Sequence, residues 1–179
     1  ATVATASASS ISSTGSYSMQ VDKLAQKQSL VSNAFTDTTS VVGSGTINIQ
    51  FGEFDGSSFT QNTDKASFNI AIDSSNNSLS GIRDAINKAN AGVTASIINT
   101  GSGYKLSLTS NDTGLKSTIK LTVEKNTGLP SDNTDTSGLS KIAYDPAAVS
   151  GSGKNMSESQ AASNAELTVN GITIAKQSN

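Results

Sequence analysis

Acid–base and nucleophilic chemistry need titratable side chains brought together, and the inventory in this chain is short. Its 179 residues include no histidine and no cysteine. The usual proton shuttle is missing, as are thiolate nucleophiles, disulfides and every thiolate-based zinc or iron–sulfur site. Serine is abundant, but without an imidazole base only a Ser–Lys arrangement remains, and no lysine stands at a recognisable spacing from a serine. Asp22, Glu53, Asp55, Asp73 and Glu124 are the carboxylates from which a glycosidase-like pair would have to be drawn. Nothing in their spacing selects two of them, and solvated strand edges account for them better. Asp132, Asn133 and Asp135 have part of a calcium-loop pattern but lack its central glycine and closing bidentate glutamate. Gly43-Ser44-Gly45-Thr46 and Gly101-Ser102-Gly103-Tyr104 have the glycine density of phosphate loops. Neither carries the P-loop lysine or opens a helix after a strand, so hairpin turns are expected there. The residues therefore predict a protein that is not an enzyme, with no catalytic, metal-binding or cofactor-binding residue and no cofactor.

Composition narrows the class further. Leu, Ile, Val and Phe make about a fifth of the chain, at the margin of disorder, while Ser, Thr and Asn fill more than a third. Twelve basic against fourteen acidic residues give a net charge of -2. Self-repulsion is thus almost nil, and a folded domain with a thin core is expected rather than a disordered coil. Lys and Arg are scattered, without the basic stripe that nucleic acid requires. No apolar run approaches the roughly 18 residues of a membrane span. Ala1–Ser10 has neither the basic start nor the apolar centre of a secretory signal, and the sequence reads as if cut from a longer chain.

The elements follow from periodicity. Residues 1–15, Ala/Ser/Thr-rich, read as a linker. Tyr17, Met19 and Val21 alternate with Ser18, Gln20 and Asp22, the pattern of a half-buried strand; Leu24–Val31 either continues it through a bulge, the favoured reading, or turns into helix, since Leu24, Lys27 and Val31 also fit a helical spacing. Ile47, Ile49 and Phe51 repeat the alternation, and so do Phe68, Ile70 and Ile72 beyond the polar connection Gly52–Lys65; together they predict a hairpin. The period then changes to 3.6: Leu79, Ile82, Ile86 and Ala89 share one helix face, with Arg83, Asn87 and Lys88 toward solvent. Asn77 or Ser78 is the expected N-cap and Gly92 the left-handed terminator. The face of Leu79, Ile82 and Ile86 is expected to dock on a sheet containing Phe68, Ile70, Ile97 and Leu106.

Val93–Asn99 and Tyr104–Thr109 predict a second hairpin, and Ile119, Leu121 and Val123 a further strand. Asn126–Ser140, with Pro130, and Pro146–Gly153 read as surface excursions. Ser157-Glu158-Ser159-Gln160 has capping-box spacing before the Ala-rich stretch Ala161–Ala165. Asn170-Gly171, between Leu167-Thr168-Val169 and Ile172-Thr173-Ile174, is the strongest short hairpin signal in the chain. The fold class is α+β, mainly antiparallel β in hairpins and a meander, with one amphipathic helix packed on a sheet.

The run from Asn77 to Asn87, followed by Ala89–Ile97 and Gly103–Ser110, resembles the flagellin-type IN motif. Gly15–Val21 with Leu24-Ala25-Gln26, Gly45–Ile49, Leu139–Asp145 and Ala165–Ile172 extend the likeness, in that order, to the flagellar filament-capping family. The resemblance covers about Gly15 to Asn179. It implies a structural, non-enzymatic bacterial protein, exported without a cleaved signal peptide. Copies of such a protein form a homo-oligomeric ring at the distal filament tip, outside the cell, and assist flagellin polymerisation. Implied partners are like subunits and flagellin, with no nucleic acid and no membrane; no partner-binding residue is assigned. The family's helical legs have no counterpart here, since no heptads are sustained. The implied organisation is nested, with a first head subdomain at 16–42 plus 157–179 and a second, carrying the IN motif, inserted at 43–156. The alternative function is an outward-facing adhesin module binding host glycan or mucin, for which an aromatic platform would be the signature.

Overall fold

The computed structural model describes residues 9–10, 15–125, 133 and 135–179. The expected linker lies outside the described residues apart from Ser9, Ser10 and Gly15, and so does most of the first part of the Asn126–Ser140 loop, Pro130 included.

The elements, in chain order, are β1 (Met19–Lys23), β2 (Lys27–Val31), β3 (Gly45–Phe54), β4 (Phe59–Gln61), β5 (Phe68–Ile72), α1 (Leu79–Ala89), β6 (Val93–Asn99), β7 (Tyr104–Thr113), β8 (Thr118–Lys125), β9 (Tyr144–Ser150), β10 (Ser152–Lys154), β11 (Ser157–Gln160), β12 (Ala165–Val169) and β13 (Ile172–Lys176). Among the described residues they form three sheets. A six-stranded sheet runs β10-β9-β8-β3-β4, with β5 also on β3; a four-stranded sheet runs β11-β2-β7-β6; a three-stranded sheet runs β1-β12-β13.

Strand β3 shows how the alternating sequence makes the largest sheet. Ile47, Ile49 and Phe51 are buried while Thr46, Asn48 and Gln50 are half-exposed. Ile47 sits between Ile70 and Val123, and Ile49 between Phe68 and Leu121, so each rung puts three apolar side chains on one face. In the four-stranded sheet Leu108 stands between Leu30 and Ala95. The buried residues of these two sheets and of α1 merge in one apolar cluster.

Helix α1 is positioned by its ends and its buried face. Ser78 is the N-cap: its Oγ accepts the Gly81 N–H at 3.1 Å, satisfying a donor the helix cannot. The helix ends earlier than Gly92. Asn90 takes the left-handed conformation at φ 49° and donates its N–H to the Asn87 carbonyl, while Gly92, at φ 74°, only bends the chain into β6. Leu79, Ile82 and Ile86 are all buried, against β5 and β6. The expected docking partners divide between two sheets, Phe68 and Ile70 in one and Ile97 and Leu106 in the other, so α1 lies across the seam rather than on one sheet.

Five further expectations need correction. Residues 19–23 do form a strand, but every one is exposed rather than half-buried, because nothing among the described residues covers the three-stranded sheet. Nor does β2 continue β1: it pairs with β7 and β11, and the chain changes sheets at Leu24–Gln26. The connection after β3 contains β4, and Pro146–Gly153 is no excursion but most of β9 and β10, two strands in irregular parallel pairing. Ser157–Gln160 opens no helix. It is β11, pairing with β2, and Glu158 accepts the Gln28 side-chain amide instead of reaching back to a helix N-cap.

The two large sheets and the three-stranded sheet meet at a narrow neck. Gln26 and Ser163 exchange backbone hydrogen bonds of 2.9 and 3.3 Å there, so the chain enters and leaves the larger body through adjacent antiparallel segments. The far end of the chain is also tied down. Thr113 Oγ1 and the Lys116 N–H donate to Gln177, and the Ala25 N–H donates to Asn179 Oδ1.

Candidate functional site

Of the five candidate carboxylates, Glu53 and Asp55 line one cleft, while Asp22, Asp73 and Glu124 lie elsewhere. Asp55 uses both oxygens inside its own turn, accepting the Ser57 and Ser58 N–H groups at 2.8 and 2.7 Å as well as both hydroxyls. Those bonds, led by the Ser58 and Ser57 N–H groups, hold its carboxyl far below the ordinary range. Glu53 and Asp64 share a cleft of about 320 Å³ with Asp55, but an acid held so firmly ionised cannot donate a proton near neutral pH. Asp73 likewise clamps its turn through the Ser75 hydroxyl and N–H, which lower it in that order. Asp22 accepts hydrogen bonds from Gln20 and Thr168 on the three-stranded sheet, and Glu124 lies on the wet face of β8.

The calcium-like residues are used structurally. Asn133 Oδ1 accepts the Val123 N–H at 2.7 Å, and Asp135 is ion-paired with Lys125; Asp132 lies outside the described residues. Among the described residues no group of three or more acids could hold a metal ion, and no helix is long and apolar enough to cross a membrane. Of the two expected hairpin turns only Thr100–Gly103 is one; Gly43-Ser44-Gly45-Thr46 instead leads into β3. A Cβ on Gly45 would fall 2.1 Å from the Glu124 carbonyl oxygen, so glycine is what lets β3 approach β8 there. Thr100–Gly103 is the β6–β7 turn, closed by Thr100 N–H to Gly103 O at 2.9 Å.

Two residues escaped sequence reasoning. Gln28 is fully buried, its Oε1 accepting the Ile119 N–H of β8 and its Nε2 donating to Glu158, each at 2.6 Å. One side chain thereby joins the two large sheets. Asn87, expected to face solvent idly, accepts the Ala95 N–H at 2.8 Å and donates to the Ala95 carbonyl at 2.9 Å. It acts as a surrogate partner for the edge strand β6. The only sequence signal for either is an amide at a position where pattern alone asks for nothing in particular.

What the geometry offers is surface. Thr46, Asn48, Gln50, Asn69, Thr122 and Glu124 make a broad polar face over β3, β5 and β8, with Asn48 donating to Asn69 at 2.6 Å. The three-stranded sheet carries the opposite character, with Met19, Val21 and Ile172 exposed. Of the tyrosines, Tyr17 precedes β1 and Tyr144, on β9, is buried, whereas Tyr104, on β7, is half-buried and lines a polar cleft with Phe35.

The chain is a β-rich body built around a helix-and-hairpin unit, with flanks closing a separate sheet. The unit from β4 to β7 coincides with the match to the flagellin hook IN motif, residues 58–112. The chain belongs to the flagellar cap protein family, that of flagellar hook-associated protein 2. It is 41% identical over 169 residues to flagellar hook-associated protein 2 of Escherichia coli O157:H7, covering 92% of this chain and 32% of that protein. The D2–D3 domains of the flagellar cap protein FliD from Escherichia coli superpose with a TM-score of 0.75 at 38% identity, over 97% of this chain and 80% of that one. FliD (HAP2) from Pseudomonas aeruginosa PAO1 matches with a TM-score of 0.70 at 35% identity, over 97% and 71%. The chain spans about a third of the length of the full relatives it matches.

Proposed function

We propose that this chain is the head portion of a bacterial flagellar filament cap, a structural module without enzymatic activity. In the whole protein its copies stand in a ring at the distal filament tip, outside the cell, and assist flagellin polymerisation. The protein reaches that site by export without a cleaved signal peptide. The observation that carries the reading is the match along 97% of the chain to the D2–D3 domains of a flagellar cap protein. Acids engaged as turn clamps and broad polar faces, suited to wet contacts between subunits, support it.

The same reading includes two nested head subdomains. The pairing of β1 with β12 across the whole intervening body, and the neck at Gln26 and Ser163, support it. Within the proposed limits of 16–42 and 157–179, the segments that build the three-stranded sheet are those the pairing supports, since β2 and β11 pair within the larger body.

The test is a segment exchange. The matched region of the Escherichia coli protein is replaced by this chain in cells lacking their own cap protein. Restored filaments and swimming are expected. A chimera that is exported in normal amounts while flagellin leaks out as monomer would overturn the assignment.

A further inference from the structure

We propose that Asn170 is a spontaneous modification site gated by the fold. Clasped by Ser18 it persists, and each opening of the β12–β13 turn exposes it to conversion into aspartate and isoaspartate. Asparagine is a chemically labile residue, and most so before glycine, where no Cβ hinders the attacking backbone nitrogen. Asn170-Gly171 is the chain's one such pair. Both residues are exposed, and a Cβ placed on Gly171 would meet nothing.

The reaction is an internal substitution. The Gly171 backbone nitrogen attacks Asn170 Cγ and gives up its proton to water, closing a five-membered imide; the Cγ–Nδ2 bond breaks, and the leaving nitrogen takes a proton from water and departs as ammonia. Water then adds to one of the two imide carbonyls and breaks its bond to nitrogen. Opening at Cγ leaves aspartate, and opening at the main-chain carbonyl leaves isoaspartate, whose backbone runs through Cβ and Cγ. Water is consumed and ammonia released in equal amount, and nothing is oxidised or reduced.

The native turn blocks the first attack. Asn170 and Gly171 have φ of 48° and 83°, the two positive values of a type I′ hairpin turn. In the left-handed conformation the next backbone nitrogen lies roughly trans to Cβ about the Cα–C bond, whereas ring closure needs the two eclipsed. Two hydrogen bonds hold Asn170 there. Ser18 donates its N–H to Oδ1 at 2.8 Å, and its carbonyl accepts the Asn170 N–H at 2.9 Å. Asp55-Gly56, the one Asp–Gly pair, is guarded differently: the Ser57 and Ser58 N–H groups keep its carboxylate ionised, and a carboxylate is a poor electrophile. At Asn170 the isoaspartate product adds a main-chain atom to a two-residue turn. The type I′ geometry is then lost, and with it the register of β12 on β13. An opening of the hairpin is thereby made permanent.

The test follows Asn170 in the full-length cap protein containing this segment, in mildly alkaline buffer. Conversion is read from the mass gain of its peptide and from labelling by an isoaspartyl methyltransferase, in native buffer, at intermediate urea and fully unfolded. The native rate is expected to be lower than the unfolded rate by a factor on the order of 10–100, and to climb at urea concentrations where hydrogen exchange in 45–54 is still native. Ser18→Pro removes the N–H donor and should raise the native rate several-fold while leaving the unfolded rate as it was; Ser18→Ala keeps the donor and should change neither. Equal native and unfolded rates would overturn the proposal. So would a native rate that stays flat until 45–54 unfolds, or a folded Ser18→Pro protein that converts no faster. If Ser18→Pro fails to fold, the urea series decides alone.

Discussion

Replacing Gln28 by Leu tests whether one buried amide holds the two large sheets in register. In the native chain its Oε1 takes the Ile119 N–H and its Nε2 bonds the Glu158 carboxylate, both at 2.6 Å. Leucine fits the volume but leaves the Ile119 N–H without an acceptor, a cost of about 1–3 kcal/mol. The bond to a charged acceptor, worth about 1.5–3 kcal/mol, is also lost; Glu158 is exposed and recovers part of this by hydration. Burying an aliphatic side chain returns about 1–2 kcal/mol. The net expectation is a destabilisation of about 2 kcal/mol. Urea unfolding followed by far-UV circular dichroism measures it as a fall in midpoint of about 1 M with the slope unchanged. Gln28→Glu separates hydrogen bonding from shape. It keeps the acceptor for Ile119 but sets a second carboxylate against Glu158, so it should be destabilised at pH 7 and recover as acid protonates one of the pair. A loss below about 0.5 kcal/mol for Gln28→Leu, together with a pH-independent Gln28→Glu, would refute the clamp.

Ile86→Ala, at a fully buried position on α1, should cost about 2–5 kcal/mol by the same unfolding assay; a change of a few tenths would sink the helix packing. Tyr144 is pushed up to about 12 by burial, with the Glu158 and Asp145 charges adding to it. Its stabilisation is complete below about pH 10 and lost as pH rises toward 12, so Tyr144→Phe should remove that part of the alkaline loss while changing little at neutral pH. Asp135 is held down to about 2 chiefly by the Lys125 hydrogen bond, so its contribution is present above about pH 4 and lost as pH falls toward 2. Asp135→Asn should flatten the acid limb of a melting-temperature profile over that window; an unchanged limb would show the ion pair contributes nothing.

Much of the fold was legible because period-2 and period-3.6 patterns are local. β3, β5, β7, α1 and the Asn170-Gly171 hairpin, with φ 48° and 83°, all sit where alternation or turn chemistry puts them. Two of the failures share a physical source, pairing with strands distant in sequence or outside the local pattern. Ser157–Gln160 satisfies a helix-start rule, but the few small residues after it cannot carry a helix, and the open edge of β2 offers hydrogen bonds at once. β9 carries Pro146 and abuts Gly151, which locally spell a turn, yet Tyr144 is paired to Leu121 and buried. The site is a similar case. Asp55 and Asp73 looked like free acids because a turn clamp is visible only once its N–H groups converge, whereas the absence of His and Cys could be read directly.

The neck at Gln26 and Ser163 has a mechanical consequence. The connections into and out of the larger body lie side by side, held by two mutual hydrogen bonds. Tension drawn along the polypeptide from β1 toward β12 crosses first at the β1–β12 pairing, beginning at Met19 and Val169, and reaches the neck only after those strands have parted. The larger body is tied on at Gln26, Asn164 and Gln177, and everything in it beyond those contacts hangs beside the line of force like a pendant. Loops remote from these contacts can therefore differ in size and chemistry without altering how load passes through the molecule.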